Sequence, residues 1–124
     1  MTGQLGSVVL YTRKRDEMVA FYSRFFGYEA LHTPGDRIVE LMPPAGGLAL
    51  LLHPAAKGQR AGQSLVKLVF DVEDVAAFRA EAETGGLVFG PIHQADEYVF
   101  SNAKDPAGNP VQISSRAFRA APND

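Results

Sequence analysis

Lys67 is the residue of this chain with the clearest chemical potential. It is the one polar side chain in the run Leu65, Val66, Lys67, Leu68, Val69, Phe70. An ammonium set among apolar neighbours attracts an anion or a carbonyl oxygen, or serves as an amine for proton transfer. The competing use is structural: the lysine stem covers apolar surface while its head reaches water or an acid such as Glu40. Tyr98 and Phe100, two positions apart, fall on one face of a strand over residues 97–102. They either stack on a planar ligand or fill core. His32, His53 and His93 offer a different chemistry, a metal site completed by Glu40, Asp96 or Glu97. No two of them form an H-x-H or H-x-x-x-H pair, and isolated histidines in turns read as solvated groups. With no cysteine in the chain, disulfides, thiolate metal sites and a Cys nucleophile are excluded.

The elements that must position these groups come in two similar sets. Residues 7–11 form a β-type run, and Arg13, Lys14, Arg15, Asp16 and Glu17 then make a solvated entry to a helix. Met18, Phe21, Tyr22 and Phe25 fall at i, i+3, i+4 and i+7 on one helical face, and Gly27 marks its end. Short strands follow at 28–32, 37–42 and 48–53. The second set starts with a strand at 65–70. Asp71 and Asp74 are candidate helix caps, Val75, Phe78 and Ala82 form an apolar face, and Gly85-Gly86 ends the helix. Strands at 87–89, 97–102 and 110–114 follow. Phe21 and Phe78 take equivalent places in this reading, each several residues before a glycine. Each half is therefore β-α-β-β-β: module 1 over about 5–53, a Gly/Ala/Pro/Gln linker at 54–64, and module 2 over about 65–115. A half this small needs a partner for its exposed sheet face, either the other half or a second chain.

Composition narrows the function class. At 124 residues the chain suits one domain, here an α+β one, and its formal charge of −2 offers no broad basic field for nucleic acid. The absence of an apolar stretch of ~18 residues or a charged-then-apolar leader predicts neither membrane span nor signal peptide, and a cytoplasmic location. Gly46-Gly47 lacks the strand–glycine–helix context of a phosphate loop.

Asp105-Pro106-Ala107-Gly108-Asn109 is a DP-x-GN turn feeding a last strand through Val111, Gln112 and Ile113. Together with Phe21-Tyr22-x-x-Phe25-Phe26-Gly27-Tyr28 and the strand-to-helix segment Phe70-Asp71-Val72-Glu73-Asp74-Val75, it resembles the vicinal-oxygen-chelate superfamily, the glyoxalase/bleomycin-resistance/dioxygenase proteins. The resemblance runs from about Ser7 to Ile113. It implies two β-α-β-β-β modules forming a curved mixed sheet around an open pocket, often completed in a homodimer. It also implies four metal-ligand positions. The first, fourteen residues before the Phe of the FY pair, is Ser7; the second falls at Ala49 or Leu51; the third is Lys67; the fourth is Gln112, where the family carries Glu.

None of these is a usual ligand. A divalent ion prefers carboxylate oxygen and neutral imidazole, and an ammonium in its place would repel it by roughly several kcal/mol. No cofactor is therefore expected. The resemblance instead implies a metal-free small-molecule-binding protein similar to the bleomycin-resistance branch, with a pocket lined by Ser7, Leu51, Lys67, Tyr98, Phe100 and Gln112. In it Ser7 and Gln112 would orient a polar ligand by hydrogen bonding. The alternative is a lyase, isomerase or oxygenase with an atypical metal site or a Lys67/Tyr98 acid–base pair.

Overall fold

The computed structural model describes residues 1–63 and 65–120, which fall into two compact units, one spanning Met1–Ala61 and the other beginning at Gly62. In the first unit the order is β1 (Ser7–Thr12), α1 (Arg15–Phe26), β2 (Glu29–His32), β3 (Val39–Met42) and β4 (Ala49–Pro54). They build one mixed sheet in the order β1-β4-β3-β2, with β1 parallel to β4 and the other pairs antiparallel. Strand periodicity sends alternate side chains to opposite faces. Leu10, Val39, Leu41, Leu50 and Leu52 are buried, as are Met18, Phe21 and Tyr22 of α1. Gly27 at φ 72° closes α1: its N–H donates to Ser23 O, and Tyr28 N–H reaches back six residues to Tyr22 O.

The second unit repeats the plan with β5 (Leu68–Asp71), α2 (Val75–Thr84), β6 (His93–Gln94), β7 (Val99–Lys104) and β8 (Pro110–Ser114), in the sheet order β5-β8-β7-β6. Asp74 caps α2 by accepting the Ala77 N–H at 3.0 Å. The β7–β8 connection is built around Asp105, which is only 4% exposed. Its Oδ1 accepts from the N–H groups of Ala107 and Asn109 at 2.9 Å each, and its Oδ2 accepts from Asn109 Nδ2 at 2.8 Å. Both units are thus mixed four-stranded sheets carrying one helix, an α+β fold of two β-α-β-β-β modules.

Several sequence expectations need correction. Residues 87–89 form no strand: Leu87 N–H bonds back to Ala82 O to finish the helix, and only Gly90 reaches β7, through Asn102 O, before Pro91 removes the next donor. The edge strand is His93–Gln94 instead. β5 begins at Leu68, not residue 65. Its parallel ladder starts at Leu68 opposite Val111, because the preceding Pro110 has no N–H to offer, and Leu65 and Val66 are exposed. β7 starts at Val99, because Glu97 at φ 64° belongs to a tight turn closed by Ala95 N–H to Tyr98 O. Phe78 is the fourth residue of α2 and so matches Met18, the fourth of α1, rather than Phe21. Counting back from the glycines misaligns the modules because α1 has 12 residues and α2 has 10. Arg13 is more than solvated helix entry, since its guanidinium donates to Gln59 O and Ala56 O at 2.6 and 2.9 Å and straps that loop to β1.

Candidate functional site

Each sheet has one face covered by its helix and one left open. On the first sheet the open face carries Ser7, Val9 and Tyr11 of β1, Ala49, Leu51 and His53 of β4, Glu40 and Met42 of β3, and Glu29 and Leu31 of β2. Ser7 lies opposite Ala49, and Leu51 sits between Val9 and Glu40. The Tyr11 and His53 rings are 5.0 Å apart, and His53 Nδ1 lies 2.8 Å from Pro54 O. Apart from Ser7, His53 and its two glutamates this face is apolar.

The second open face is chemically different. Lys67, just ahead of β5, points to the same side as Val69, and Val69 lies opposite Gln112 on β8. Gln112 in turn lies opposite Asn102 on β7. These side chains are joined: Lys67 Nζ donates to Asn102 Oδ1 at 3.2 Å, and Gln112 Nε2 donates to the same oxygen at 2.8 Å. An ammonium has only donors, so it fixes Asn102 with its oxygen inward and obliges Gln112 to present its NH2. That leaves Asn102 Nδ2 as a donor and Gln112 Oε1 as an acceptor not used within the cluster. Further along β7, Phe100 stands 6.1 Å from Tyr98 and 5.2 Å from His93, ring centre to ring centre. The Tyr98 hydroxyl accepts from Arg116 Nη1 at 3.0 Å, and the guanidinium carbons of Arg116 and Arg119 lie 5.3 and 6.0 Å from its ring centre.

The structure therefore brings Lys67, Gln112, Phe100 and Tyr98 onto one face and adds Asn102, which sequence reading missed. Its signal was present: Asn102 follows Tyr98 and Phe100 at steps of two on the same strand. The Lys67 ammonium donates to Asn102 and the Tyr98 hydroxyl accepts from Arg116.

Ser7 and Leu51 lie on the first module's open face, and the internal repeat resolves which β4 residue corresponds to Gln112. Ser7 precedes the start of α1 by eight residues, from 7 to 15, as Lys67 precedes that of α2, from 67 to 75. Two positions on, Val9 lies opposite Leu51 and Val69 lies opposite Gln112. Leu51, not Ala49, is thus the counterpart of Gln112.

These residues do not fit a divalent metal. Serine and glutamine supply weak neutral oxygens, leucine none, and the lysine and glutamine are held with N–H groups turned to a shared acceptor. Among the described residues no group of three His, Cys, Asp or Glu side chains is placed to hold a metal ion. His93 stacks on Phe100, while His32 and His53 sit in the other module. One cleft of about 360 Å³ lies beside the start of α1, at the His53 end of the first open face, lined by Arg13, Arg15, Glu17 and His53 among others, and another of about 410 Å³ lies at Ala95, Asp96, Glu97, Arg119 and Ala120. No helix among the described residues is long and apolar enough to cross a membrane.

Comparison with known proteins agrees with the fold. The chain is similar to TnmS3, an antibiotic-binding protein from Streptomyces sp. CB03234, at 17% identity over 90% of this chain and 94% of that one, with a TM-score of 0.76. It is similar to lactoylglutathione lyase from Agrobacterium tumefaciens at 20% identity over 91% and 93% of the two chains, TM-score 0.69. It also resembles FosX, a fosfomycin resistance protein of Listeria monocytogenes whose E126Q mutant was solved with Mn(II), at 14% identity over 93% and 91%, TM-score 0.70. No curated protein sequence matches the chain. The sequence profile of the Glyoxalase/Bleomycin resistance protein/Dioxygenase superfamily matches residues 4–113, and the chain belongs to that superfamily.

Proposed function

We propose that this protein binds a small organic molecule without a metal and sequesters it rather than transforming it. Ser7, Leu51, Lys67, Tyr98, Phe100 and Gln112 are its contact residues, and it acts as a homodimer in the cytoplasm. The observation that carries this reading is the Lys67–Asn102–Gln112 cluster: places where the superfamily's metal enzymes hold ligands are here filled by an ammonium and a carboxamide bonded to one oxygen. Such a cluster orients a polar ligand and repels a cation. Phe100, Tyr98 and the exposed Val69 beside it supply apolar area. Similarity to an antibiotic-binding protein supports the binding role. Calorimetric titration with a broad panel of amphiphilic and antibiotic compounds is the test. Binding of at least one compound, weakened by Lys67→Met or Phe100→Ala, is expected, and no binding across the panel overturns the reading. Sedimentation at micromolar concentration tests the dimer.

A further inference from the structure

Charge is distributed unevenly over the second open face. Lys67 lies on it, and Lys104, two residues beyond Asn102 on β7, shares the face and is exposed. Asp71, two residues beyond Val69 on β5 and so at the far end from Lys67, is the face's carboxylate. Asp105 follows Lys104 in sequence, but its carboxylate is buried and spent on the turn's own donors. Asp96 and Glu97 lie in the β6–β7 turn beyond Tyr98, at the end away from Lys67. Among the described residues the salt-bridge contact is Arg15 with Asp16, in the other module, so neither ammonium is neutralised by a neighbouring acid. At this end Asn102 Nδ2 adds a donor that the cluster does not use, because its oxygen is the atom that accepts from both Lys67 and Gln112.

The apolar part of the face adjoins this donor cluster. Phe100 precedes Asn102 by two residues on the same side of β7, about 7 Å along the strand, and is flanked by the rings of Tyr98 and His93. A ring and an acid group separated by one or two carbon atoms match that spacing. We propose that the open face of the second sheet selects an aromatic carboxylate, with its ring on Phe100 and its carboxylate held by Lys67 and the Asn102 amide. This rests on the metal-free binding role proposed above and names its ligand class. Gln112 Oε1 accepts from a hydroxyl or N–H group beside the acid. The planar carboxylate takes one hydrogen bond from the ammonium and one from the amide, both directed from one side.

The test uses 2-naphthylacetate and its neutral isostere 2-naphthylacetamide, titrated into the isotope-labelled 124-residue chain and followed by NMR. A charge-assisted contact is roughly twice as strong as a neutral one, so the acid is expected to bind about tenfold tighter than the amide. The Asn102 and Gln112 side-chain NH2 signals should shift with it. Lys67→Met should bring the two ligands to within about threefold of each other while the backbone spectrum stays folded, and Lys67→Arg should restore most of the preference. Equal affinities in the wild type overturn the carboxylate proposal and leave small-molecule binding standing. A preference for the acid that Lys67→Met leaves intact, with shifts confined to the first module, also overturns it. Binding of neither probe overturns it too. Whether the binding role falls as well is then decided by the wider compound panel.

Discussion

The two open faces share a backbone plan and differ in chemistry. Val9 lies opposite Leu51 in one module as Val69 lies opposite Gln112 in the other. Yet the first face is largely apolar, with Ser7, Glu29, Glu40 and His53 as its polar positions, and the second is a carboxamide and ammonium cluster beside aromatic rings. The helix-covered faces differ much less: Leu50 and Leu52 of β4 correspond to Val111 and Ile113 of β8, all buried. Packing constrains one side of each strand, and the other side is free to take up or lose chemistry.

The largest expected effects test that division. Leu52 is fully buried, so Leu52→Ala should cost about 2–5 kcal/mol in chemical denaturation. Leu51→Ala, on the half-exposed side of the same strand, should cost less than about 1 kcal/mol. Equal losses would break the distinction between faces. Next comes the β7–β8 turn, where Asp105 organises three donors, whereas the matching β3–β4 connection of the first module relies on Gly46 and Gly47. Asp105→Ala should cost about 3 kcal/mol, since it leaves buried N–H groups without their charged acceptor. Asn109→Ala, which keeps that acceptor, should cost clearly less.

A smaller effect belongs to the first module. The Tyr28 hydroxyl donates to Leu48 O at 3.0 Å, and burial raises its pKa above the ordinary value of 10.0. The folded chain then keeps this proton at pH values where the unfolded chain has lost it. This contribution is full below pH 10 and is lost as pH rises through the higher folded value. Tyr28→Phe should cost about 1 kcal/mol at neutral pH and flatten the decline of stability above pH 10. An unchanged alkaline decline would show that another group drives it. The smallest effect is Arg116→Gln, which removes an exposed contact to Tyr98 and should change stability by less than about 1 kcal/mol.

Much of the architecture was legible in the sequence because helix and strand periodicities follow directly from burial. Met18, Phe21 and Tyr22 predicted the face that α1 buries, and Asp74 its module's cap. The misplaced strand start at 65–67 traces to a ladder partner, since Pro110 withholds an N–H that only the paired strand makes relevant, and the strand at 87–89 was lost to the helix end, where Leu87 N–H bonds back to Ala82 O. Of the candidate site, Lys67 stood out as the one polar residue of its run, and Gln112 by its place in the superfamily pattern. Their union through Asn102 was not legible, because cross-strand register joins residues 35 and 10 positions apart. Register likewise selects Leu51 over Ala49, a choice that sequence spacing left open.

The central claim is that the second face is built for an organic ligand and not for a metal. Metal content of the untagged protein, followed by thermal unfolding with Mn, Fe, Co, Ni and Zn ions, tests it most directly. The account predicts no stoichiometric metal and no rise in the unfolding midpoint. A bound ion at a hundred times its Kd would add about 2.7 kcal/mol, a shift of several degrees. One equivalent of metal with such a shift, abolished by changing Gln112, would contradict it.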